Sequence, residues 1–446
     1  MSIKKTLIKN SSYNLISYAY LAVASLISIP IILNSLGGEL YGSYILFNGI
    51  VLVAATFDLG LSQATIRWLS LPKINQATRV NTWKTSLFFF YILAVLLSLT
   101  TFILLRYFLI DLPAFTPINP DQYLLATVIA SGIVLINHLN IAFLTIPQAH
   151  QRFDIYNTRT IIVGTANTLI TAWLSTKTDN IAVLLGLQFI FHLSAFITLL
   201  SYSRHQLGAN PLIPKLHKQL SKELLGFGGK NFVTNIANQI RVQFSNFILG
   251  GLIGPIAVTA FSIPQNLIIK AAGAISQVTL AFFPLSTSLT SPERFPKLKR
   301  LIIQLQVVIF LLGIIQVFVV YQYGYQILTL WLNNPEVVIQ AYPVLKILSW
   351  FFLLTIAAPI PTAVFESLNK PHIPAISAAL NTVITIGLIF IFTSRYQQTS
   401  ASLIPAYANL ISSAIIIPSF LISLVIVLTR YEKTIQSTKT QYNTKL

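Results

Sequence analysis

The sequence predicts an all-α polytopic membrane protein, with about twelve transmembrane helices in two six-helix halves related by a parallel repeat around a central cavity. Composition is the first reason. Of 446 residues, 54% are apolar and only 9% charged, and the mean hydropathy is +0.73. Soluble chains carry roughly 25% charged residues, and one of this length would need two or three cores with charged coats. The coat is missing. The second reason is block length, because the apolar residues come in runs matching the roughly 20 residues a helix needs to cross a bilayer. The third is an internal repeat. The absence of cysteine excludes disulfides, thiolate metal sites and cysteine nucleophiles. Six scattered histidines without an HExxH pattern leave neither a metal site nor a cofactor to expect.

Taken in order, the spans fall near 13–33, 42–63, 86–110, 121–147, 155–174, 180–202, 228–252, 256–285, 300–323, 337–365, 372–393 and 401–428. Pro30, Pro264, Pro343 and Pro359 lie within spans and predict kinks where freed carbonyls line a cavity or a neighbour. The first apolar block has span length, lacks a small-residue cleavage site and is closely followed by another, so no cleavable signal peptide is expected. With the N-terminus inside, twenty-three of the 29 Lys and Arg residues fall in cytoplasmic segments. Three (Arg106, Lys177 and Arg395) fall outside, and three lie within spans. This bias sets both termini in the cytoplasm. It also accounts for most of the net charge of +18. The cations are spread over short loops rather than gathered on one face with stacking aromatics, which argues against a nucleic-acid partner. The polar segment 430–446 is expected to be a disordered cytoplasmic tail.

Two stretches match at a constant offset. Ile146-Pro147 precedes Asn167-Thr168-Leu169-Ile170-Thr171 by the spacing at which Ile360-Pro361 precedes Asn381-Thr382-Val383-Ile384-Thr385, a shift of 214 residues. A weaker match pairs Lys9-Asn10…Asn14 with Lys230-Asn231…Asn235. The halves are therefore read as 1–219 and 220–429, joined by the cationic loop 203–230, with 430–446 as the tail. An even number of spans per half makes the repeat parallel, and transporters built this way hold their ligand between the halves.

Arg241, Lys270 and Lys346 fall well inside spans of the second half. Arg241 lies about 11 residues into its span, roughly 16 Å deep. Each mid-membrane cation costs on the order of 2.5–3.5 kcal/mol to insert. Asp58 is the one acid within a span, so it cannot neutralise all three, and the surplus calls for a water-filled cavity. Thr234, Asn235, Asn238, Arg241 and Ser245 share one helix face by their three-to-four spacing, as do Asn266, Lys270, Gly273 and Gln277. A weaker stripe of Asn14, Ser17, Tyr18, Ser25 and Ser28 runs along the first span; interhelical hydrogen bonding explains such a stripe equally well. The substrate-binding candidates are thus Arg241, Lys270, Lys346, Asn235, Asn238, Asn14 and Asn266. Asp58 is read either as a proton or cation coupling site or as a partner for Arg67 or a nearby lysine. His138 and His192 are expected to be hydrogen-bonded helix histidines rather than a relay. Gly226-Phe227-Gly228-Gly229-Lys230 fails as a phosphate loop, because Leu224 replaces the first glycine and no Ser or Thr follows the lysine.

The chain resembles the polysaccharide flippases of the O-antigen translocase type, in the multidrug/oligosaccharidyl-lipid/polysaccharide exporter superfamily. The residues that carry the resemblance are Lys9-Asn10…Tyr13-Asn14, Leu36-Gly37…Tyr41-Gly42-Ser43-Tyr44, and Asp58-Leu59-Gly60-Leu61 leading to Arg67. The second half departs from the pattern, keeping only Gly254…Phe261 of the glycine–tyrosine motif. The resemblance implies a bacterial inner-membrane transporter, not an enzyme, that flips undecaprenyl-pyrophosphate-linked oligosaccharides by alternating access, alongside membrane lipid and polysaccharide polymerase machinery. The alternatives are a multidrug/cation antiporter of the same superfamily, which would want buried acids, and a membrane enzyme of the polysaccharide pathway, which would want large charged external loops.

Overall fold

The computed structural model describes residues 3–71, 75–207, 212–395 and 402–443; the side chains of 3–12, 227–235, 277–281, 283, 284, 288, 395 and 434–443 lie outside the description. Every regular element described is helical, as expected. The chain runs α1 (Ile3–Thr56), α2 (Leu61–Leu69), α3 (Gln76–Ile103), α4 (Pro120–Ala149), α5 (Phe153–Thr165), α6 (Thr171–Ser175) and α7 (Ile181–Leu207). It continues through α8 (Lys218–Leu252), α9 (Pro255–Ser288), α10 (Phe295–Leu332), α11 (Pro335–Thr355), α12 (Pro359–Ser367), α13 (His372–Arg395) and α14 (Ile404–Asn443). Among the described residues nine helices are long and apolar enough to cross a membrane.

The expected count of about twelve follows once three features are resolved. Within α1, Gly37 adopts φ 75° and ψ 167°, a conformation open to glycine at little steric cost, and it divides α1 into two crossings. The segments α5 and α6 are joined by a π-turn over Ala166–Ile170 into one crossing, and α8 supplies the last. Local chemistry sets the helix starts. The Asn75 side chain accepts from Thr78 N at 2.7 Å to cap α3, and Asn119 accepts from Asp121 N at 3.0 Å to cap α4, with Pro120 at the first position. At the far end, α14 continues as helix through Asn443, so the polar segment 430–443 is helical.

By its contacts the chain forms two compact units, Met1–Ser262 with Trp331–Val337, and Ile263–Leu330 with Val338–Leu446. The core of the first lies among α2, α3, α4 and α7. Trp83, Leu87, Phe90 and Phe143 are fully buried there, and the Trp83 and Phe143 rings meet edge-on at 4.9 Å. Polar side chains inside this unit find partners: Gln188 Nε2 donates to Tyr44 Oη at 2.8 Å, and Ser43 Oγ to the Ala114 carbonyl at 2.5 Å. The second unit closes α13 on α14 through hydroxyls and an amide, with Asn381 Nδ2 donating to Ser413 Oγ at 3.2 Å and Thr385 Oγ1 lying 2.6 Å from Ser412 Oγ.

At one end of the first unit the backbone of α1 meets that of α9. A Cβ on Gly42 would stand 2.0 Å from the Pro255 carbonyl oxygen, Thr259 Oγ1 donates to the Gly38 carbonyl at 2.6 Å, and Asn34 Nδ2 donates to the Leu332 carbonyl at 2.8 Å. Trp331 Nε1 adds a bond to the Leu26 carbonyl at 2.8 Å. Three distant segments are stitched together here, and the stitching is possible because Gly42 has no side chain.

Helices α4 and α12 end in similar turns. After α4, Gln151 has φ 57° and donates to Gln148 O at 3.0 Å, while Arg152 N donates to Pro147 O at 2.8 Å. After α12, Asn369 has φ 58° and donates to Glu366 O at 3.0 Å, while Lys370 N donates to Phe365 O at 2.8 Å. Both are left-handed caps that satisfy the last carbonyls of a helix. In the first, Arg152 forks onto Asp154, with Nη2 at 2.8 Å from Oδ2; this hydrogen bond holds the Asp154 carboxyl below its usual range. Burial, then the charge of Arg79, pushes the His150 imidazole below its ordinary value.

Replacing Gly42 by alanine is expected to lower thermal stability by about 1–3 kcal/mol, because the clash is with backbone and cannot be relieved by a rotamer. Gly38→Ala, whose new Cβ would meet Val337 at an ordinary 3.5 Å, is the control and is expected to be near neutral. Thermal unfolding of the detergent-solubilised variants, read by size-exclusion recovery, checks both.

Candidate functional site

The polar face of α8 lies in the first unit. Asn238 is exposed, Arg241 is half-buried one turn on, and Ser245 is buried with its hydroxyl on the Arg241 carbonyl at 3.2 Å. Beyond them Asn246 Nδ2 donates to Gln243 Oε1 at 3.2 Å, and Gln243 packs where Gly49 of α1 leaves room. Arg241 also engages neighbouring groups. The side chains of Thr234 and Asn235 are outside the described residues. Asn14 on α1 faces α5: Asn157 Nδ2 donates to its Oδ1 at 2.8 Å and also to the Phe153 carbonyl at 2.8 Å. This is the interhelical hydrogen bond that the weaker stripe on the first span equally suggested.

In the second unit Asn266 and Lys270 sit one turn apart on α9, both half-buried and both engaged with neighbours. The side chain of Gln277, further along that face, is outside the described residues. Lys346 on α11 has an environment the charge count does not reveal. Its Nζ lies 4.9 Å from the centre of the Tyr342 ring, one turn back, and 5.9 Å from that of Tyr321 on α10. Trp350 Nε1 donates to Tyr321 Oη at 3.0 Å and Tyr342 Oη donates to the Tyr321 carbonyl at 3.3 Å, which fixes the two rings. Helical side chains lean toward the N-terminus of their helix, so the lysine reaches back along α11 onto these π-faces. Each such contact contributes about 0.5–2 kcal/mol. Aromatic rings, not a carboxylate, offset part of its insertion cost.

Asp58 has a local role. Its Oδ1 accepts from Gly60 N at 2.9 Å and its Oδ2 from Ser62 N at 3.2 Å and from the Ser62 hydroxyl. These bonds hold the turn between α1 and α2, in which Leu59 (φ 54°) and Gly60 (φ 72°) are left-handed. His138 Nδ1 is 3.0 Å from the Val134 carbonyl, whereas Asn140 Nδ2 donates to the backbone carbonyl of His192 at 2.9 Å and the His192 imidazole Nδ1 is buried with no hydrogen-bond partner among the described residues. No group of three or more metal-ligating side chains occurs among the described residues.

One residue was missed by reading along the sequence. Arg159 counts there as a cytoplasmic cation, yet it lies on α5 two residues past Asn157, half-buried, with Nε and Nη2 shielded from solvent and without a hydrogen-bond partner among the described residues. The signal available was its position inside the predicted span 155–174; its neighbours come from helices distant in sequence.

Asp58→Ala is expected to cost about 1–3 kcal/mol through loss of the bonds to Gly60 and Ser62, whereas Asp58→Asn, which keeps an acceptor, is expected to lose less than half as much; thermal melts of both variants measure this. Replacing Tyr342 by leucine removes the nearer π-face and is expected to destabilise the protein when Lys346 is present but not in a Lys346→Met background. A double-mutant cycle on melting temperature reads that coupling.

Comparison with known proteins places this geometry. The family model described as polysaccharide biosynthesis protein matches residues 7–290, and the MatE model matches residues 232–391. A curated protein of Shigella flexneri named "Putative O-antigen transporter" is 25% identical over 405 residues, covering 89% of this chain and 94% of its own length. Among solved structures, the lipid II flippase MurJ in an inward closed conformation aligns with a TM-score of 0.73 at 14% identity, over 97% of this chain and 92% of that one. An inward-facing multidrug resistance MATE family transporter of the MOP superfamily aligns with a TM-score of 0.66 at 14% identity, over 94% and 96%. The multi-pass helical fold is therefore shared along the whole chain, and with the family model matching more than half of it, this membrane protein belongs to the polysaccharide biosynthesis protein family.

Proposed function

We propose that the protein is a flippase that moves undecaprenyl-pyrophosphate-linked oligosaccharide units from the cytoplasmic to the outer leaflet of a bacterial inner membrane, by alternating access and without covalent chemistry. The observation that carries this reading is the excess of positive side chains that the sequence places within the spans: Arg241, Lys270 and Lys346, joined by Arg159 on α5, whereas Asp58 lies in the turn between α1 and α2 and accepts from its amides. An anionic headgroup suits that excess, and a cationic drug does not. Similarity to the O-antigen transporter over nearly the full length of both chains supports the same class of cargo.

In this reading the duplicated halves 1–219 and 220–429 rock against each other, with both termini on the cytoplasmic side. Arg241 and Lys270 attract the diphosphate, while Asn235, Asn238 and Asn266 offer hydrogen bonds to sugar hydroxyls. Asn14 positions α5 through Asn157, and Arg159, with its two shielded nitrogens, joins the anion-binding set. Lys346, seated on tyrosine faces, contributes positive potential rather than a direct ligand. Hydroxyl-rich and acidic cargo is bound without a metal or cofactor, and the lipid tail stays in the bilayer. Polysaccharide polymerase is the expected downstream partner.

The match of the MatE model over 232–391 favours one competing reading, a multidrug/cation antiporter. The test separates the two. In a strain lacking the native flippase, a leaflet-resolved assay of lipid-linked glycan is expected to show transport by the wild type and at least a tenfold loss in Arg241→Gln/Lys270→Gln at unchanged abundance. Unaltered glycan export by that double variant, or drug efflux without glycan transport by the wild type, overturns the assignment.

A further inference from the structure

The second unit carries a cavity apart from the cationic faces of α8 and α9. It is a groove of about 570 Å³, open along one side between α10 and α14 and floored by Ala357 between α11 and α12. Its walls are apolar, with Phe310, Leu424 and Leu428 among them; Gln306 is tied to the Ala357 carbonyl at 2.8 Å and so presents little free polarity. At one end stands Lys299, paired with Glu432 at 2.8 Å. Beyond that pair the helix ends are clamped together, the Phe295 and Tyr431 rings lying 5.2 Å apart and Tyr431 Oη donating to the Thr290 carbonyl at 3.2 Å.

Two features say what fills it. From Lys299 to Leu311 the groove follows thirteen residues of α10, a rise of about 18 Å at 1.5 Å per step. That is close to one leaflet, half of a hydrocarbon core about 30 Å thick, so its depth suits a phospholipid acyl chain; a much longer polyprenyl chain would overrun it. The rim is strongly positive. Residues 293–300 and 430–433 carry six cations (Arg294, Lys297, Lys299, Arg300, Arg430 and Lys433) against two acids, Glu293 and Glu432, and Lys297 and Arg300 are exposed. Basic clusters just outside a membrane span bind anionic lipid headgroups.

We propose that this groove is a binding site for an anionic glycerophospholipid, with one acyl chain between α10 and α14 and its phosphate at Lys297 and Arg300. The Lys299–Glu432 pair marks the boundary between headgroup and chain. The site uses none of the residues assigned to the transported cargo.

Native mass spectrometry of the delipidated, detergent-solubilised protein tests this, titrating phosphatidylglycerol and phosphatidylcholine with matched acyl chains. Wild type is expected to retain phosphatidylglycerol at least tenfold better. Lys297→Gln/Arg300→Gln is expected to remove that preference, at about fivefold per cation, and to leave phosphatidylcholine retention unchanged. Ala357→Phe, which fills the floor, is expected to reduce both lipids; should it fail to fold, Val425→Trp on the exposed wall takes its place. Equal retention of the two lipids by wild type, or undiminished binding in the filled groove, overturns the proposal. Displacement of phosphatidylglycerol one for one by undecaprenyl phosphate overturns it also, by giving the groove to a polyprenyl chain.

Discussion

Hydrocarbon offers no hydrogen-bond partner and little solvation for charge, and most of this structure is a response to that constraint. Backbone amides are satisfied within helices, and where helices stop, the turns satisfy themselves. The loop after α1 uses the Asp58 carboxylate for two amides. The turns after α4 and α12 use left-handed caps. Where α1 and α9 come together, hydroxyl, amide and indole donors from Thr259, Asn34 and Trp331 meet carbonyls of the partner segments. The interhelical contacts of the second unit follow the same logic, with Asn381 and Thr385 bonded to the serines of α14.

Charges cannot be handled by one device, and three of the cations meet three different ones. Lys346 leans onto two tyrosine rings. Lys299, at a helix end, has a carboxylate in Glu432. Arg159 has two nitrogens that find no acceptor among the described residues, and burial of an unsatisfied charged donor is among the larger local costs a protein carries. Residues that sustain such a cost are concentrated where a ligand completes the bonding, which is why Arg159 enters the proposed anion site although its own segment of sequence gives it no special standing.

The helical class and the number of crossings were legible because hydropathy and block length act locally and every span must meet the same thickness. The turns at 147–152 and 365–370 share their bonding, four residues out of the 214-residue register of the matched stretches. What was not legible is set by contacts between distant segments. Nothing near Gly42 in the chain announces that Pro255 will take the space of its absent side chain. The Asn14 stripe is readable in two ways from the sequence, and its partner Asn157 comes from a segment far along the chain. Asp58 is read from the sequence as a coupling site or a partner for a nearby cation, and the structure adds its bonds to the Gly60 and Ser62 amides. For Lys346 the nearer tyrosine was visible at one helical turn, and the farther one was not.

The last helix extends this account to geometry outside the bilayer. Running unbroken from Ile404 to Asn443, α14 is about 60 Å long, whereas a bilayer with its headgroups is about 40–45 Å thick. Some 15–20 Å of it must therefore stand in water. It does so as a stalk with its own backbone bonds. Such a stalk holds its tip at a set height above the membrane, as a mast does, and anything attached there is kept off the lipid surface.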